Sequence, residues 1–457
     1  MSGQAAHGQS MYRKEPKKYP REVKGRFDTL RDLAMYVLLG IYYFLPWFTL
    51  DGRQGVLFDL PARKFYIFGI TFWPQDFIYL TLLLVIAGLS LFFFTALAGR
   101  LFCGYACPQT VWTEAFLLME RWVEGDRAKR MKLDKAPWST KKLVRKATKQ
   151  FLWITFALWT GFTFVGFFTP IRELWGDIAR FNLGGWETFW FLFYSLATYG
   201  NAGYLREQVC KYMCPYARFQ SAMFDKDTLV ISYDEERGEP RGGRRKDSDA
   251  SNLGDCINCT LCVQVCPTGI DIRNGLQYEC IACAACIDVC DQVMDKMGYE
   301  RGLVRYTTEN ALEGKAQRIV RPRILIYATL LLVIISGVLW SISERIPLRA
   351  DLIRDRNVLY RTLPDGRIEN VYTLKLINMD EVPHRYRMTV IGNQQVSAGT
   401  SRPLELQPEE VGVFSLRLTA PTTAGAGVQR LDIVFEAVEN PSIKRAASAR
   451  MLLPAGP

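Results

Sequence analysis

Five long apolar runs alternate with polar and basic stretches along the chain up to residue 343. A helix needs about 20 apolar residues to cross a bilayer core of about 30 Å. We therefore predict five transmembrane helices, at residues 30–50, 78–98, 151–169, 187–205 and 324–343. The alternation is typical of a polytopic α-helical membrane protein.

The chain after the fifth run follows another pattern, in which apolar and polar residues alternate with a period of two. Such runs cover 371–377, 385–391, 411–418 and 431–438, and turn residues such as Pro364-Asp365-Gly366 separate them. Short alternating strands between turns are typical of a β-sandwich, which we predict for residues 344–457. His384 follows Pro383 and is expected on a surface turn; a copper or catalytic role is the alternative.

Basic residues are unevenly distributed between the predicted loops. They are frequent in 1–29, between the second and third spans, and at both ends of 206–323, but sparse in 51–77 and 170–185. Lys and Arg near span ends collect on the cytoplasmic side. We expect a cytoplasmic tail (1–29), a four-helix membrane region (30–205), a cytoplasmic insert (206–323), a fifth span (324–343) and a periplasmic domain (344–457).

The composition narrows the possible chemistry. The 57 Lys and Arg against 46 Asp and Glu give a formal net charge of +11. They lie beside the spans and lack a helix-turn-helix or zinc-finger frame, so we expect contact with anionic membrane lipid and no nucleic acid. Two histidines are too few to supply paired axial ligands for two haems. With 12 cysteines in the chain, we expect any metal to be bound by sulfur. Residues 1 to about 20 and 234–251 lack apolar periodicity and are expected to be flexible.

The insert contains two cysteine runs with the spacing x2-x2-x3 that is typical of bacterial ferredoxins. The first run is Cys256, Cys259, Cys262 and Cys266, and the second is Cys280, Cys283, Cys286 and Cys290. The fourth cysteine of such a run ligates the other cluster. We therefore predict one [4Fe-4S] cluster on Cys256, Cys259, Cys262 and Cys290, and another on Cys280, Cys283, Cys286 and Cys266. Two zinc sites are the alternative, although zinc usually takes two close pairs separated by a longer spacer.

Four further cysteines form two Cys-x3-Cys-Pro motifs, each just after a predicted span. They are Cys103 with Cys107 and Cys210 with Cys214, and the topology places both motifs at the cytoplasmic face. We call them the rim motifs. A Cys-x3-Cys spacing puts two thiols on one helix face, and the proline is expected to end or bend that helix. The thiols suit buried packing, structural zinc, a redox dithiol pair, or a third metal centre such as a copper site reduced in place.

The five predicted spans, the rim motifs at Cys103/Cys107 and Cys210/Cys214, the double ferredoxin run and the terminal β-domain occur in one order. In this order the chain resembles the FixG/CcoG (RdxA) family of cytochrome oxidase accessory proteins. The resemblance implies that the four rim cysteines handle copper, that the terminal domain is immunoglobulin-like, and that Cu(II) is reduced to Cu(I) for assembly of a cbb-type haem-copper oxidase.

We accordingly expect an iron–sulfur oxidoreductase of the bacterial inner membrane, with copper as substrate, oxidase assembly factors or subunits as partners and an unidentified electron donor. Two rival functions remain open: a quinone-linked electron relay in a respiratory complex, and a non-enzymatic assembly scaffold. Arg100, Lys211 and Arg218 flank the rim motifs. We interpret them as positive-inside anchors, the alternative being that they lower the pKa of the rim thiols. We interpret Tyr105 and Tyr212 as residues that anchor a helix at the membrane interface.

Overall fold

The computed structural model describes residues 17–50, 52–244, 252–355 and 358–454. His7 and residues 245–251 of the expected flexible stretch lie outside the described residues. The chain divides into two compact units, Met1–Ile335 and Ser336–Pro457. The boundary falls within one apolar helix, and each unit is described by itself below.

The first part of the N-terminal unit is helical with two small sheets. Its helices are Arg26–Phe44 (α1), Phe77–Ala98 (α2), Leu101–Tyr105 (α3), Pro108–Glu124 (α4), Arg127–Lys135 (α5), Thr140–Val165 (α6), Ile171–Ala179 (α7) and Gly185–Thr198 (α8). A π-helix, Tyr199–Leu205, extends α8. Its strands are Thr49–Leu50 (β1), Arg53–Gln54 (β2), Val56–Asp59 (β3), Lys64–Ile67 (β4) and Ile70–Phe72 (β5). They form a β1-β2 pair and an antiparallel β3-β4-β5 sheet.

Helices occupy all five predicted spans, but in the described part of the chain only two are long and apolar enough to cross a membrane. These are Pro74–Ala98 and Pro322–Ser343 (the latter α14). Helix α1 carries four charged residues in its first seven positions and ends at Phe44, six residues before its predicted end. Helix α8 has only 14 residues before the π-helix begins. Five crossings therefore stay a prediction.

The insert contains two antiparallel strands and short helices around the cysteine runs. After the π-helix Val209–Met213, the helices are Pro215–Ala222 (α9), Glu235–Gly238 (α10), Leu261–Val265 (α11), Ala285–Met297 (α12) and Glu309–Leu312 (α13). The strands Val230–Tyr233 (β6) and Val304–Thr307 (β7) pair with each other. Buried residues of both strands pack with α12 and the cysteine loops in one apolar core. Cys256 is buried in this core, and Cys262, Cys286 and Cys290 pack against it.

Residues 17–24 do not behave as the flexible tail that the sequence predicts as far as residue 20. The side chains of Lys17 and Tyr19 donate hydrogen bonds to Asp134 at 2.9 and 2.6 Å. Val23 is buried in a small core with apolar residues of α11 and α12. This segment therefore packs against the insert, because burial of Val23 against α11 and α12 fixes its position.

The C-terminal unit is a two-sheet sandwich. Its strands are Leu348–Arg354 (β8), Arg361–Thr362 (β9), Ile368–Asn378 (β10), His384–Ile391 (β11), Ser397–Thr400 (β12), Glu405–Leu406 (β13), Val411–Ala420 (β14), Gly427–Ala437 (β15) and Lys444–Leu453 (β16). One sheet has the order β12-β14-β10-β8 with β9 on β10, and the other β13-β11-β15-β16. All four predicted alternating runs lie in strands except that Val438 follows β15. Their inward residues, including Leu374, Leu416 and Phe435, are fully buried.

The expectation for His384 is wrong. It is the first residue of β11 and is buried, not on an exposed turn. Its Nε2 lies 3.0 Å from Asp380 Oδ2, and its ring packs near Tyr386. The sequence missed this because the strand begins directly after Pro383, earlier than the alternation suggested.

Candidate metal centres

The two ferredoxin-type runs adopt the same unusual backbone. Asn258 and Thr260 in the first run, and Ala282 and Ala284 at the equivalent positions of the second, have φ values of 53, 57, 55 and 61°. A left-handed conformation costs a residue with a side chain about 1 kcal/mol or more. Repeating it at matching positions gives the two loops the same backbone turn between their cysteines. Thr260 and Ala284 directly precede α11 and α12.

Each loop closes one cavity, and α12 contributes to both. Cys256, Cys259, Cys262 and Cys290 line a cavity of about 390 Å³. Cys266, Cys280, Cys283 and Cys286, with Cys262 at the border, line a second cavity of about 340 Å³. Both groupings match the sets expected from the crossed ligand pattern. The ligand sets themselves stay predictions.

The chemistry of these thiols suits iron–sulfur clusters. Burial raises the pKa of Cys262 to about 11 and that of Cys290 to about 12, and it also raises the pKa of Cys286. The backbone N–H groups of Val263 and Ala282 donate to Cys262 and Cys280. Thiols this buried stay neutral until a metal displaces their protons. In the described part of the chain, no three Cys, His, Asp or Glu side chains converge as a ready metal site.

The rim motifs form a structural repeat that the sequence shows only in part. Gly99 ends α2 with φ 53° and ψ −115°, and Arg206 ends the π-helix with φ 45° and ψ −113°. A cysteine follows each at the fourth and eighth positions. Cys107 and Cys214 are the residues that precede α4 and α9, whose first residues are Pro108 and Pro215.

This arrangement corrects the expectation for the prolines. Pro108 and Pro215 begin new helices and do not end or bend the old ones, because proline lacks the N–H that the first helical position does not need. The two thiols of a motif therefore do not share one helix. The second thiol of each motif lies at a helix N-terminus. At Cys107, the backbone N–H groups of Thr110 and Gln109 oppose the rise in pKa that burial causes.

The four rim thiols lie within electrostatic range of one another. Burial, with smaller contributions from Cys107 and Cys210, raises the pKa of Cys103 to about 12. Burial raises the pKa of Cys210 to about 11, with contributions from Cys107 and Cys214. The amide oxygen of Gln220 accepts a hydrogen bond from the thiol of Cys103 at 3.3 Å. The structure thus brings both motifs to one place.

Arg100 is more than the membrane anchor that the sequence suggests. It is 4% exposed, and its guanidinium donates to the carbonyl oxygens of Tyr278 and Ala217. Its charge opposes the rise in the pKa of Cys103 and Cys210, and also that of Cys280 in the second ferredoxin run. One buried cation therefore lies near thiols of both kinds.

The first rim motif also touches the second ferredoxin loop directly. A Cβ added at Gly104 would lie 2.8 Å from the carbonyl oxygens of both Ile281 and Ala282. Tyr306, on β7, donates to the same carbonyl of Ala282 at 2.6 Å. Arg31 of α1 donates to the carbonyl of Cys283. The loop around the second cavity is thus held against α3 and α1.

Sequence reasoning did not identify Gly104, Arg31 or Gln220 as site residues. Gly104 could have been noticed, since it separates two candidate ligands at a point where a small residue permits close approach. Arg31 and Gln220 carry no such signal, because they lie on other elements and reach the site only through tertiary contacts. Tyr212 and Lys211 were interpreted as anchors, and Tyr212 is indeed mostly exposed.

Comparison with family models agrees with this architecture. A model of a 4Fe-4S dicluster domain matches residues 205–309, and one of a 4Fe-4S binding domain matches residues 79–124, which include the first rim motif. A model described as the "IG-like fold at C-terminal of FixG" matches residues 338–454. The chain is therefore an iron–sulfur redox protein of the oxidoreductase class with an immunoglobulin-like C-terminal domain.

Three relatives identify the family. The chain is 37% identical to nitrogen fixation protein FixG of Rhizobium meliloti, over 90% of this chain and 88% of that protein. It is 42% identical to protein RdxB of Cereibacter sphaeroides, over 83% of each chain, and 38% identical to protein RdxA of the same organism, over 88% and 89%. The chain belongs to the FixG/RdxA family, which confirms the resemblance. With its two apolar helices, it is a membrane protein.

Proposed function

We propose that the chain reduces Cu(II) to Cu(I) at the rim motifs for assembly of a cbb-type haem-copper oxidase. In this proposal Cys103, Cys107, Cys210 and Cys214 bind the copper ion. The observation that carries the proposal is the contact of Gly104 with the second ferredoxin loop. It supports copper reduction because thiols suited to copper lie directly beside a candidate cluster site.

The cysteines of the insert would hold two [4Fe-4S] clusters. The first would take Cys256, Cys259, Cys262 and Cys290, and the second Cys266, Cys280, Cys283 and Cys286, because each set lines one cavity. Bound clusters of this kind store and pass single electrons. The close approach of the second loop to Gly104 makes the second site the nearer one to the rim thiols.

The residues of the rim motifs would bind and orient the copper ion. Thiolates are soft ligands that favour Cu(I) over Cu(II), so their binding favours the reduced product. The positive charge of Arg100 and the N-terminus of α4 both favour the thiolate form, against the effect of burial. Copper binding would release the thiol protons, including the one that Cys103 donates to the amide oxygen of Gln220.

The proposal places the protein in the bacterial inner membrane with the N-terminus cytoplasmic and the C-terminal domain periplasmic. Both rim motifs and the insert would then face cytoplasmic copper and a cytoplasmic or membrane electron donor. Factors or subunits of the oxidase would receive the reduced ion. The uneven distribution of basic residues supports this orientation.

The test is anaerobic reduction of Cu(II) by the purified protein. The protein is loaded with iron and sulfide, reduced with dithionite and freed of excess reductant. After Cu(II) is added, the visible absorbance of the clusters and the colour of a Cu(I)-specific chelator are followed together. One Cu(I) should form for each electron that the protein loses.

A variant with serine at Cys103, Cys107, Cys210 and Cys214 separates the rim thiols from the insert. We expect it to keep its iron and its cluster absorbance but to reduce Cu(II) at least about tenfold more slowly. The exposed Trp122, on α4 and outside both motifs, offers a control as Trp122→Phe. Copper reduction at the native rate by the fourfold variant would contradict the proposal.

A further inference from the structure

A cavity of about 940 Å³, counting the part open to solvent, borders both a rim thiol and a cysteine of the second ferredoxin run. Cys210 and Cys283 lie in its wall, and apolar side chains such as Val23, Leu117 and Val265 line part of it. A copper complex that reaches Cys210 through this cavity would meet its lining first.

The charged residues in the lining are mostly positive. The cations are Lys18, Arg21, Arg31, Arg121, Arg130 and Arg206. The carboxylates are Asp28, Glu114 and Glu207. The lining therefore has three more positive than negative groups.

Ion pairs within the wall do not remove this surplus. Arg31 pairs with Asp28 at 2.7 Å, and Arg121 pairs with Glu114 at 2.6 Å. Glu120, which lies outside the lining, pairs with both Arg130 and Arg206 at 3.2 and 2.9 Å. Even with Glu120 counted, cations exceed carboxylates by two, since six cations face four acids.

A cleft lined by one sign of charge concentrates ligands of the opposite sign and repels ligands of its own sign. Hydrated Cu(II) carries two positive charges and would be repelled. From this we infer that copper enters the cavity as an anionic chelate, with carboxylate-bearing ligands, and not as the hydrated ion. The inference rests on the proposed function, whose substrate it specifies.

The redox step keeps atoms and electrons in balance. The reduced protein gives one electron to the Cu(II) of the chelate, and Cu(I) forms and is bound by the sulfur of Cys210, whose thiol proton is released to the solvent. The carboxylate ligand, which binds Cu(I) poorly because it is hard, leaves as the free anion. The protein is left oxidised by one electron.

The test compares copper complexes of different charge on native protein and on Arg21→Glu. Arg21 lines the cavity and is exposed. The complexes are Cu(II) citrate, which is anionic, Cu(II) bis-glycinate, which is neutral, and Cu(II) bis-ethylenediamine, which is dicationic. The ratio of variant rate to native rate is taken for each complex, because this ratio cancels the reduction potential of the complex itself.

We expect Arg21→Glu to slow the reduction of Cu(II) citrate about fivefold. The rate of reduction of Cu(II) bis-glycinate should not change, and that of Cu(II) bis-ethylenediamine should increase. Arg21→Lys should behave as native. The control is Lys296→Glu, an equal charge change at an exposed residue outside the cavity lining, which should leave all three ratios near one. Raising the ionic strength from about 0.01 to about 0.15 M should shrink the citrate effect, because the screening length falls from about 30 to about 8 Å.

Binding without turnover gives a second readout. Equilibrium dialysis of Zn(II) citrate, which cannot be reduced under these conditions, against the oxidised protein should show weaker binding to Arg21→Glu than to native protein and Lys296→Glu. Equal ratios for all three copper complexes, or unchanged Zn(II) citrate binding, would overturn the inference. If no copper complex is reduced by native protein, the proposed function itself fails, and the binding measurement still decides whether the cavity takes anions.

Discussion

Gly104 shows how a single residue controls the distance between the rim thiols and the insert. Any side chain there would clash with the carbonyl oxygens of Ile281 and Ala282, which belong to the backbone and cannot rotate away. The residue is helical, so the absence of a side chain is not required for its own conformation. Its role is close approach.

We predict that Gly104→Ala slows copper reduction about tenfold, because it forces the second ferredoxin loop away from the rim motif. Alanine favours a helix more than glycine does, so α3 itself should not be lost. The measurement is the anaerobic rate of Cu(I) formation, with iron content determined on the same sample. Gly88→Ala is the matched control, since a Cβ at Gly88 meets nothing within 4 Å. Equal rates in both variants would argue against a role for this contact.

Glu120 is a buried carboxylate whose ionised form is stabilised by the surrounding cations. Burial alone would raise its pKa, but Arg206, Lys149 and Arg130 lower it to about 2. Such a group stabilises the folded state above its unfolded pKa, near 4.5, and this stabilisation is lost as the pH falls towards 2. The network joins α4 to α6 and to the residue that ends the π-helix.

We therefore predict that Glu120→Gln lowers the free energy of unfolding at pH 7 by about 3 kcal/mol, because it leaves buried cations without a partner. The difference from native protein should narrow between pH 4.5 and 2, as native Glu120 becomes protonated. Thermal melts by circular dichroism in detergent measure both effects. Glu236→Gln, at an exposed residue, should show neither. A difference that stays constant across this pH range would disprove the role of the charge.

At the scale of elements, α12 connects three parts of the N-terminal unit. Cys286 and Cys290 lie one turn apart on it and line different cavities. Between them, the carboxylate of Asp288 accepts hydrogen bonds from the N–H groups of Phe27 and Asp28, at 3.2 and 2.8 Å, at the start of α1. One helix thus carries candidate ligands for both clusters and contacts the start of the first predicted span.

This sharing makes the crossed ligand pattern testable with double variants. If Cys256 and Cys290 hold the same cluster, Cys256→Ser with Cys290→Ser should retain about half of the iron. Cys280→Ser with Cys290→Ser should then retain little, because each change affects a different cluster. Iron and sulfide analysis of the reconstituted proteins decides between the patterns. The reverse result would mean that each cysteine run holds its own cluster.

At the scale of the whole molecule, the chain combines two units with separate cores. The core of the C-terminal unit consists of inward residues of both sheets and uses no cysteine. The thiol chemistry belongs entirely to the N-terminal unit. Such a division suits a redox module joined to a domain that binds another protein or stabilises the chain.

We predict that residues 345–457 fold alone. A protein of these residues should unfold in one cooperative thermal transition, bind no iron and give a dispersed NMR spectrum, because its core is complete without α14. Leu416→Asp, which puts a charge at a fully buried position, should abolish the transition. Poor dispersion in the native domain would show that it depends on the rest of the chain.

The ferredoxin loops and the sandwich strands could be predicted because their signals are local. The cysteine spacing predicts which cysteines line the same cavity, and the alternation in 411–418 predicts which residues of β14 turn inward. The prediction that His384 is exposed was wrong because the burial of a strand residue depends on the neighbouring strands and not on the residues next to it in sequence. The number of spans stays open, since α1 mixes charges into its first turns and α8 is short.

The sequence by itself determined which residues are candidates for the chemistry, because cysteine spacing and apolar length are properties of the chain that hold before it folds. Only the tertiary structure decided what those residues face. The contact of Gly104 with Ile281 and Ala282 joins segments more than 170 residues apart. Tertiary contacts between distant segments also place Arg100 near two kinds of thiol and Cys210 in the wall of a cavity with mostly positive charges. Electrostatic and steric effects depend on distance in space, and no spacing along the sequence encodes that distance.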